Sequence, residues 1–108
     1  MPSSAGSFYV SGPGTTFTAT FVVDEITHSF TGSFGGTSVE PCTGVVTLTY
    51  ANPGDLTSSR NFQGVIGKTS AKITLANAVE ISGTLDNPIS IANTVTGTGR
   101  WGVTKFAD

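Results

Sequence analysis

One histidine, His28, and one cysteine, Cys42, are the only side chains here of the kinds that serve most readily as base and nucleophile near neutral pH. His28 lies in Ile26-Thr-His28-Ser-Phe30-Thr-Gly-Ser-Phe34, on the same side of a two-residue alternation as Ile26, Phe30 and Phe34. There it reads as a general base or ligand-orienting donor inside a barrel, or as a core histidine satisfied by backbone near a strand end. A base needs a nucleophile or acid beside it, and no motif brings Cys42 there, so the second reading is favoured. Zinc asks for about four converging ligands, which one His and one Cys do not supply. Asp24-Glu25 and Asn52/Asp55 are turn residues without the spacing of a calcium loop. Paired carboxylates for glycoside cleavage must face each other across a cleft. Asp24 and Glu25 diverge as neighbours, and nothing in the sequence joins Glu80 to Asp86 or Glu40 to Asp55. No catalytic residue, metal or cofactor is expected.

Ligand-binding chemistry has more to work with. Trp101, Tyr9 and Tyr50 combine a ring with a polar handle, the combination favoured at binding surfaces. Trp101 stands in Gly99-Arg100-Trp101-Gly102, where flanking glycines could leave its ring accessible to the C–H face of a sugar. The alternative is a core Trp closing one barrel end with Arg100 stacked over it. Asn52, Asp55, Asn77 and Asn87 occupy expected turns and could hold hydroxyl groups. The candidate site residues are therefore Trp101, Arg100, Tyr50, His28, Asn52, Asp55, Asn77 and Asn87.

Strands must position these groups. Phe17-Thr-Ala-Thr-Phe21, Phe30-Thr-Gly-Ser-Phe34, Ile81-Ser-Gly-Thr-Leu85, Val95-Thr-Gly-Thr-Gly99 and, more loosely, Phe62-Gln-Gly-Val-Ile66 repeat one alternation of apolar and small polar residues. A period of two sends successive side chains to opposite faces of a sheet, so one face is apolar and the other carries Thr and Ser. Strands are predicted over 7–11, 15–23, 26–34, 44–50, 60–67, 69–76 and 78–85, with one bent strand or two over 89–106. Residues 1–6 read as a loose arm and 7–108 as a single all-β domain. Asn52-Pro53-Gly54-Asp55 has the chemistry of a type II turn, with Gly54 at the position of positive φ. No stretch carries a helical period over ten residues. About eight antiparallel strands in a meander are expected, closed into a small barrel or, alternatively, folded into a β-sandwich. The apolar-face glycines Gly32, Gly64, Gly83 and Gly97 favour the barrel, because a missing Cβ lets a strand bend and makes room for a facing ring. Phe30→Ala is expected to cost about 3–5 kcal/mol if that face is the core.

Such an architecture resembles avidin-like and lipocalin-like barrels, which are small and up-and-down with Thr-rich strands. Those families carry a Gly-x-Trp near the first strand, whereas Gly99-Arg100-Trp101 lies at the far end of this chain.

Composition narrows the partners. Charged residues are 11% of the 108-residue chain, against roughly 25% in ordinary domains, while 18 Thr and 12 Ser supply a neutral, hydroxyl-rich surface. The five basic residues, Arg60, Lys68, Lys72, Arg100 and Lys105, do not cluster, which argues against nucleic acid. No apolar run approaches the ~20 residues of a membrane helix, and the amino terminus has no basic start or apolar core of a leader. The sequence as it stands predicts a cytoplasmic chain or one released without a signal peptide, or a secreted one if Met1 was added to a mature fragment. Three functions fit: a lectin-like module binding glycans through a multivalent homo-oligomer; a self-assembling scaffold, since few charges guard the strand edges; and a barrel carrying a small apolar ligand.

Overall fold

The computed structural model describes residues 3–10, 14–23, 25–36, 38–52, 54, 56–76 and 78–105. It contains eight strands: β1 (Ser3–Val10), β2 (Thr16–Val23), β3 (Ile26–Phe34), β4 (Cys42–Thr49), β5 (Ser59–Ile66), β6 (Ser70–Leu75), β7 (Glu80–Leu85) and β8 (Asn93–Lys105). All neighbours are antiparallel, and the sheet closes into a barrel in the order β1-β2-β3-β8-β5-β6-β7-β4. The all-β fold and the barrel are as the alternation predicts.

The order of the strands is not a meander. Three hairpin-linked strands, β1-β2-β3, are followed by a fourth that returns beside the first, and β5-β6-β7 with β8 repeat the same plan. Each half is a Greek key. The crossovers, residues 35–41 and 86–92, run over the same end, called the upper end below. Each rests on the hairpin turn of its own half, Val39 N–H donating to Gly14 O (2.8 Å) and Ile89 N–H to Lys68 O (2.9 Å). Val39 and Ile89 are both buried there. At the two seams a large residue of a third strand faces a glycine of a fourth, Phe34 opposite Gly97 and Leu85 opposite Gly44. Of the five repeats, Phe30–Phe34 of β3 and Ile81–Leu85 of β7 occupy equivalent strands of the two halves. An up-and-down architecture of the avidin or lipocalin kind is not what the chain adopts.

Two further expectations change. Ser3–Gly6, expected as a loose arm, form the first half of β1, because β4 offers them a ladder from Ser3↔Thr49 to Gly6↔Val46. Gly54 does not have a positive φ; Pro53 and Asp55 lie outside the described residues, and among the described residues of this connection the left-handed one is Ser58, at φ 67°. The last strand is single: its first part pairs with β5 and its second with β3.

The core is the barrel interior, and aromatic rings fill it. Phe17 lies 5.5 Å from Phe8, 5.9 Å from Phe30, 5.5 Å from Phe34 and 5.1 Å from Phe62, centroid to centroid. Gly32 makes this packing possible, since a Cβ there would lie 2.8 Å from the Phe62 ring and closer still to Phe17. At Gly97 a Cβ would meet first the cross-strand carbonyl of Ser33 and then the Phe62 ring at 3.0 Å, while Gly64 and Gly83 admit only cross-strand backbone, of Lys72–Ile73 and Val45–Val46. Tyr50, Leu56 and Val79 are buried in the connections of the lower end.

Candidate functional site

Alternation along β1 turns Phe8 and Val10 inward and leaves the Tyr9 ring outside, 45% exposed. Tyr9 sits opposite Thr43 at the start of β4, where both Greek-key crossovers reach the upper rim. A cleft opens there, lined by Tyr9, Glu40, Pro41, Cys42, Thr43, Asn87 and Pro88 among others. The crossovers hold each other in place: the Ser90 N–H donates to Glu40 Oε2 at 3.1 Å. Asp86 is fixed twice to Thr43, its N–H donating to the Thr43 carbonyl (2.8 Å) and its Oδ2 accepting from the Thr43 hydroxyl (2.9 Å). Each carboxylate has one oxygen committed to the fold and accepting capacity left over. The cleft therefore offers an apolar ring face, an acceptor at Glu40, and an amide at Asn87 that both donates and accepts.

Cys42 lines the same cleft. Its thiol pKa is raised, first by burial and also by the Glu40 carboxylate, against a lowering hydrogen bond from Val10 backbone. A raised thiol pKa keeps sulfur protonated, and the thiolate is the reactive form. His28 lies toward the other end of the barrel: Cys42 pairs with Val10 at the upper rim, while His28 pairs with Val103 near the end of β8.

The other sequence candidates are dispersed. Trp101 is 5% exposed and turned inward against Phe30, at 5.1 Å between centroids, so it offers no face to a sugar. Its flanking glycines do not expose it, because Gly99 is filled by the Phe30 ring. Arg100, one residue along the same strand, points outward and is exposed, on the opposite face from Trp101 rather than stacked on it. Tyr50 is buried in the core. Asn52 is exposed in the β4–β5 connection, and Asp55 and Asn77 lie outside the described residues. Among the described candidates, Asn87 alone reaches the upper cleft. Tyr9 is the residue missed as a site, and its signal was legible: an aromatic on the Ser/Thr side of a strand has no core to enter.

A second depression runs along the outer face of β6, β5 and β8, with Asn61, Gln63, Thr74, Thr94 and Thr96 on its walls. Its Lys72 ammonium is paired with Glu80 at 3.4 Å, and Thr98 donates to Asn61 at 2.9 Å. It has hydroxyls and amides but no exposed ring.

At the lower end, Trp101 Nε1 and Arg60 Nε are buried without a hydrogen-bond partner among the described residues. Leaving such a donor unpaired costs about 1–3 kcal/mol. His28, 7% exposed, has Nδ1 3.1 Å from the Ile26 carbonyl oxygen. That oxygen only accepts, so Nδ1 carries the proton and donates.

Among the described residues no group of three or more His, Cys, Asp or Glu could hold a metal ion, and no helix is long and apolar enough to cross a membrane. By class, the molecule is a small closed barrel of two Greek keys with a loop-built cleft at one end. No protein-family model matches the chain, and neither does any curated protein or solved structure.

Proposed function

We propose that the chain is a non-enzymatic binding module whose upper cleft takes a carbohydrate. The observation that carries this reading is the half-exposed Tyr9 ring beside Glu40 and Asn87, in a cleft built where two crossovers meet. A pyranose has one face of C–H bonds and a rim of hydroxyls. The ring takes the first, and carboxylate and amide oxygens take the second, with the Asn87 N–H groups donating to sugar oxygens. Crossover loops on a rigid barrel are a common place for such chemistry. The fit of a neutral ligand is supported by the low charge of the chain as a whole.

A single shallow cleft of this kind binds weakly, and several copies presented together raise avidity by about 100-fold or more without new contacts. The multivalent homo-oligomer belongs to the same reading, and a native mass spectrum measures it. The two competing readings have less behind them. Closure into a barrel pairs both sides of every described strand, which removes the open edges on which self-assembly was argued. Along the axis, the Phe8, Phe17, Phe30, Phe34 and Phe62 rings occupy the space an apolar cargo would need.

The test is a glycan array followed by calorimetry on the best binder. Tyr9→Ala should weaken binding at least tenfold, the equivalent of about 1.4 kcal/mol, with an unchanged melting temperature, since the ring packs outside the core. If no glycan binds more tightly than millimolar, or if Tyr9→Ala leaves the affinity intact, the proposal fails.

A further inference from the structure

The lower end of the barrel presents an unmet chemical demand of one sign. β3, β8 and β5 are consecutive in the sheet, and each sends one polar group inward near that end. On β5 the inward positions are Arg60, Phe62, Gly64 and Ile66. Arg60 is thus the lowest of them, opposite Gly99 of β8. Trp101 is two residues further along β8 on the same inner face, and cross-strand diagonal neighbours lie within reach of long side chains. His28 of β3 continues the row, its ring 6.4 Å from the Trp101 ring in an edge-to-face arrangement. The backbone around them is fixed by the Trp101 N–H donating to the Ser58 carbonyl at 3.0 Å.

The two buried groups in this row that lack a partner among the described residues are both donors. Trp101 Nε1–H and Arg60 Nε–H are buried and unpartnered. Arg60 carries a full positive charge, and among the described residues the recorded ion pair is Lys72–Glu80, not one to Arg60. His28 Nδ1 is spent on Ile26 O, which ties that ring to the backbone beside the two donors. Glu25, the described carboxylate of the β2–β3 turn at this end, is exposed. Strain points to the same place. Among the described residues, the non-glycine residues with positive φ are Glu25, Ser58 and Ala78, all in lower-end connections, and strained backbone persists where surrounding structure has a use for it.

We propose that the lower end of the barrel is a binding site for a small oxyanion, a carboxylate or phosphate group, held by Arg60 Nε–H and Trp101 Nε1–H with His28 at its side. A fork of guanidinium donors matches the geometry of such oxygens, and the indole N–H adds a second, neutral donor from a fixed ring. The site is at the opposite end of the barrel from the carbohydrate cleft and does not depend on it.

Trp101 is the sole tryptophan, so its indole N–H gives one resolved cross-peak in a nitrogen–proton NMR spectrum, and its fluorescence reports the same place. Sodium phosphate and sodium acetate, titrated against sodium chloride at matched ionic strength, should each be tested for a saturable shift of the indole and Arg60 Nε–H peaks. The expected result is saturation with one or both oxyanions and linear drift with chloride. Arg60→Gln should weaken the apparent affinity at least tenfold. Arg60→Lys, which keeps the charge but loses Nε, should weaken it less, and it serves if Arg60→Gln does not fold. Saturation by phosphate alone identifies a phosphate-bearing ligand, and by acetate alone a carboxylate. No saturable shift with either, or equal shifts in wild type and both Arg60 variants, overturns the proposal and leaves ordered water as the partner of these donors.

Discussion

Gly32→Ala is the substitution that tests the barrel packing most directly. Gly32 faces Phe17 across one ladder and Gly99 across the other. Its φ is not in the left-handed region, so a backbone argument against alanine does not apply, and in a strand alanine would ordinarily help slightly. Space decides instead. A Cβ at position 32 would stand 2.9 Å from Phe17 Cζ and 2.8 Å from Phe62 Cε2, against about 3.5–4.0 Å for carbons at optimal separation. Phe17 cannot yield freely, because its ring packs on Phe8, Phe30, Phe34 and Phe62 at once. Overpacking of this kind costs about 1–3 kcal/mol, which lowers the melting temperature of a domain this size by roughly 5–20 °C. Phe17→Leu removes the ring atoms nearest position 32 and by itself costs about 1–3 kcal/mol as a large-to-small change. Combined, the alanine methyl enters part of the vacated space, so the double variant should be more stable than the summed single effects by about 1 kcal/mol or more. Urea titrations followed by Trp101 fluorescence measure all four corners of this cycle. A neutral or stabilising Gly32→Ala, or effects that add within about 0.5 kcal/mol, would refute the close approach on which the packing argument rests.

Three other outcomes follow from the same structure. Phe30→Ala, which empties a fully buried position between Phe17, Phe62 and Trp101, should cost about 3–5 kcal/mol by chemical denaturation; a loss under about 1 kcal/mol would mean the ring is not in the core. Gly54→Val should change stability by less than about 0.5 kcal/mol, because the site has no positive φ and an added Cβ meets nothing within 4 Å, and a drop in melting temperature of more than a few degrees would contradict this. Cys42 should alkylate more slowly in the folded chain than in urea at pH 8. Its raised pKa means the native state holds the thiol proton more tightly than the unfolded state does. The associated stability is complete below the ordinary thiol range near 9 and declines as pH rises through and beyond it. Equal alkylation rates in the two states would show that burial does not act on this sulfur.

The sequence by itself determined which residues form strands and which way most of them face. Alternation is a property of consecutive residues, so Phe17/Phe21, Phe30/Phe34 and Ile81/Leu85 declare an inner face without any knowledge of their neighbours, and Tyr9 declares an outer one. Even Trp101 was placed on the apolar side by its parity, although its flanking glycines suggested exposure. Those glycines make room for other groups: Gly99 admits Phe30, from a strand nearly seventy residues earlier. Strand order was decided only by tertiary structure. The same eight alternating segments suit a meander or two Greek keys, and hydrogen bonding between β3 and β8 or β4 and β7 joins residues whose local sequences carry no record of each other. Both candidate sites inherit that dependence. The upper cleft exists because two crossovers bring Glu40 and Asn87 to Tyr9, and the lower row exists because β8 lies between β3 and β5. Neither set is contiguous in the chain, so spacing along the sequence could not have assembled them.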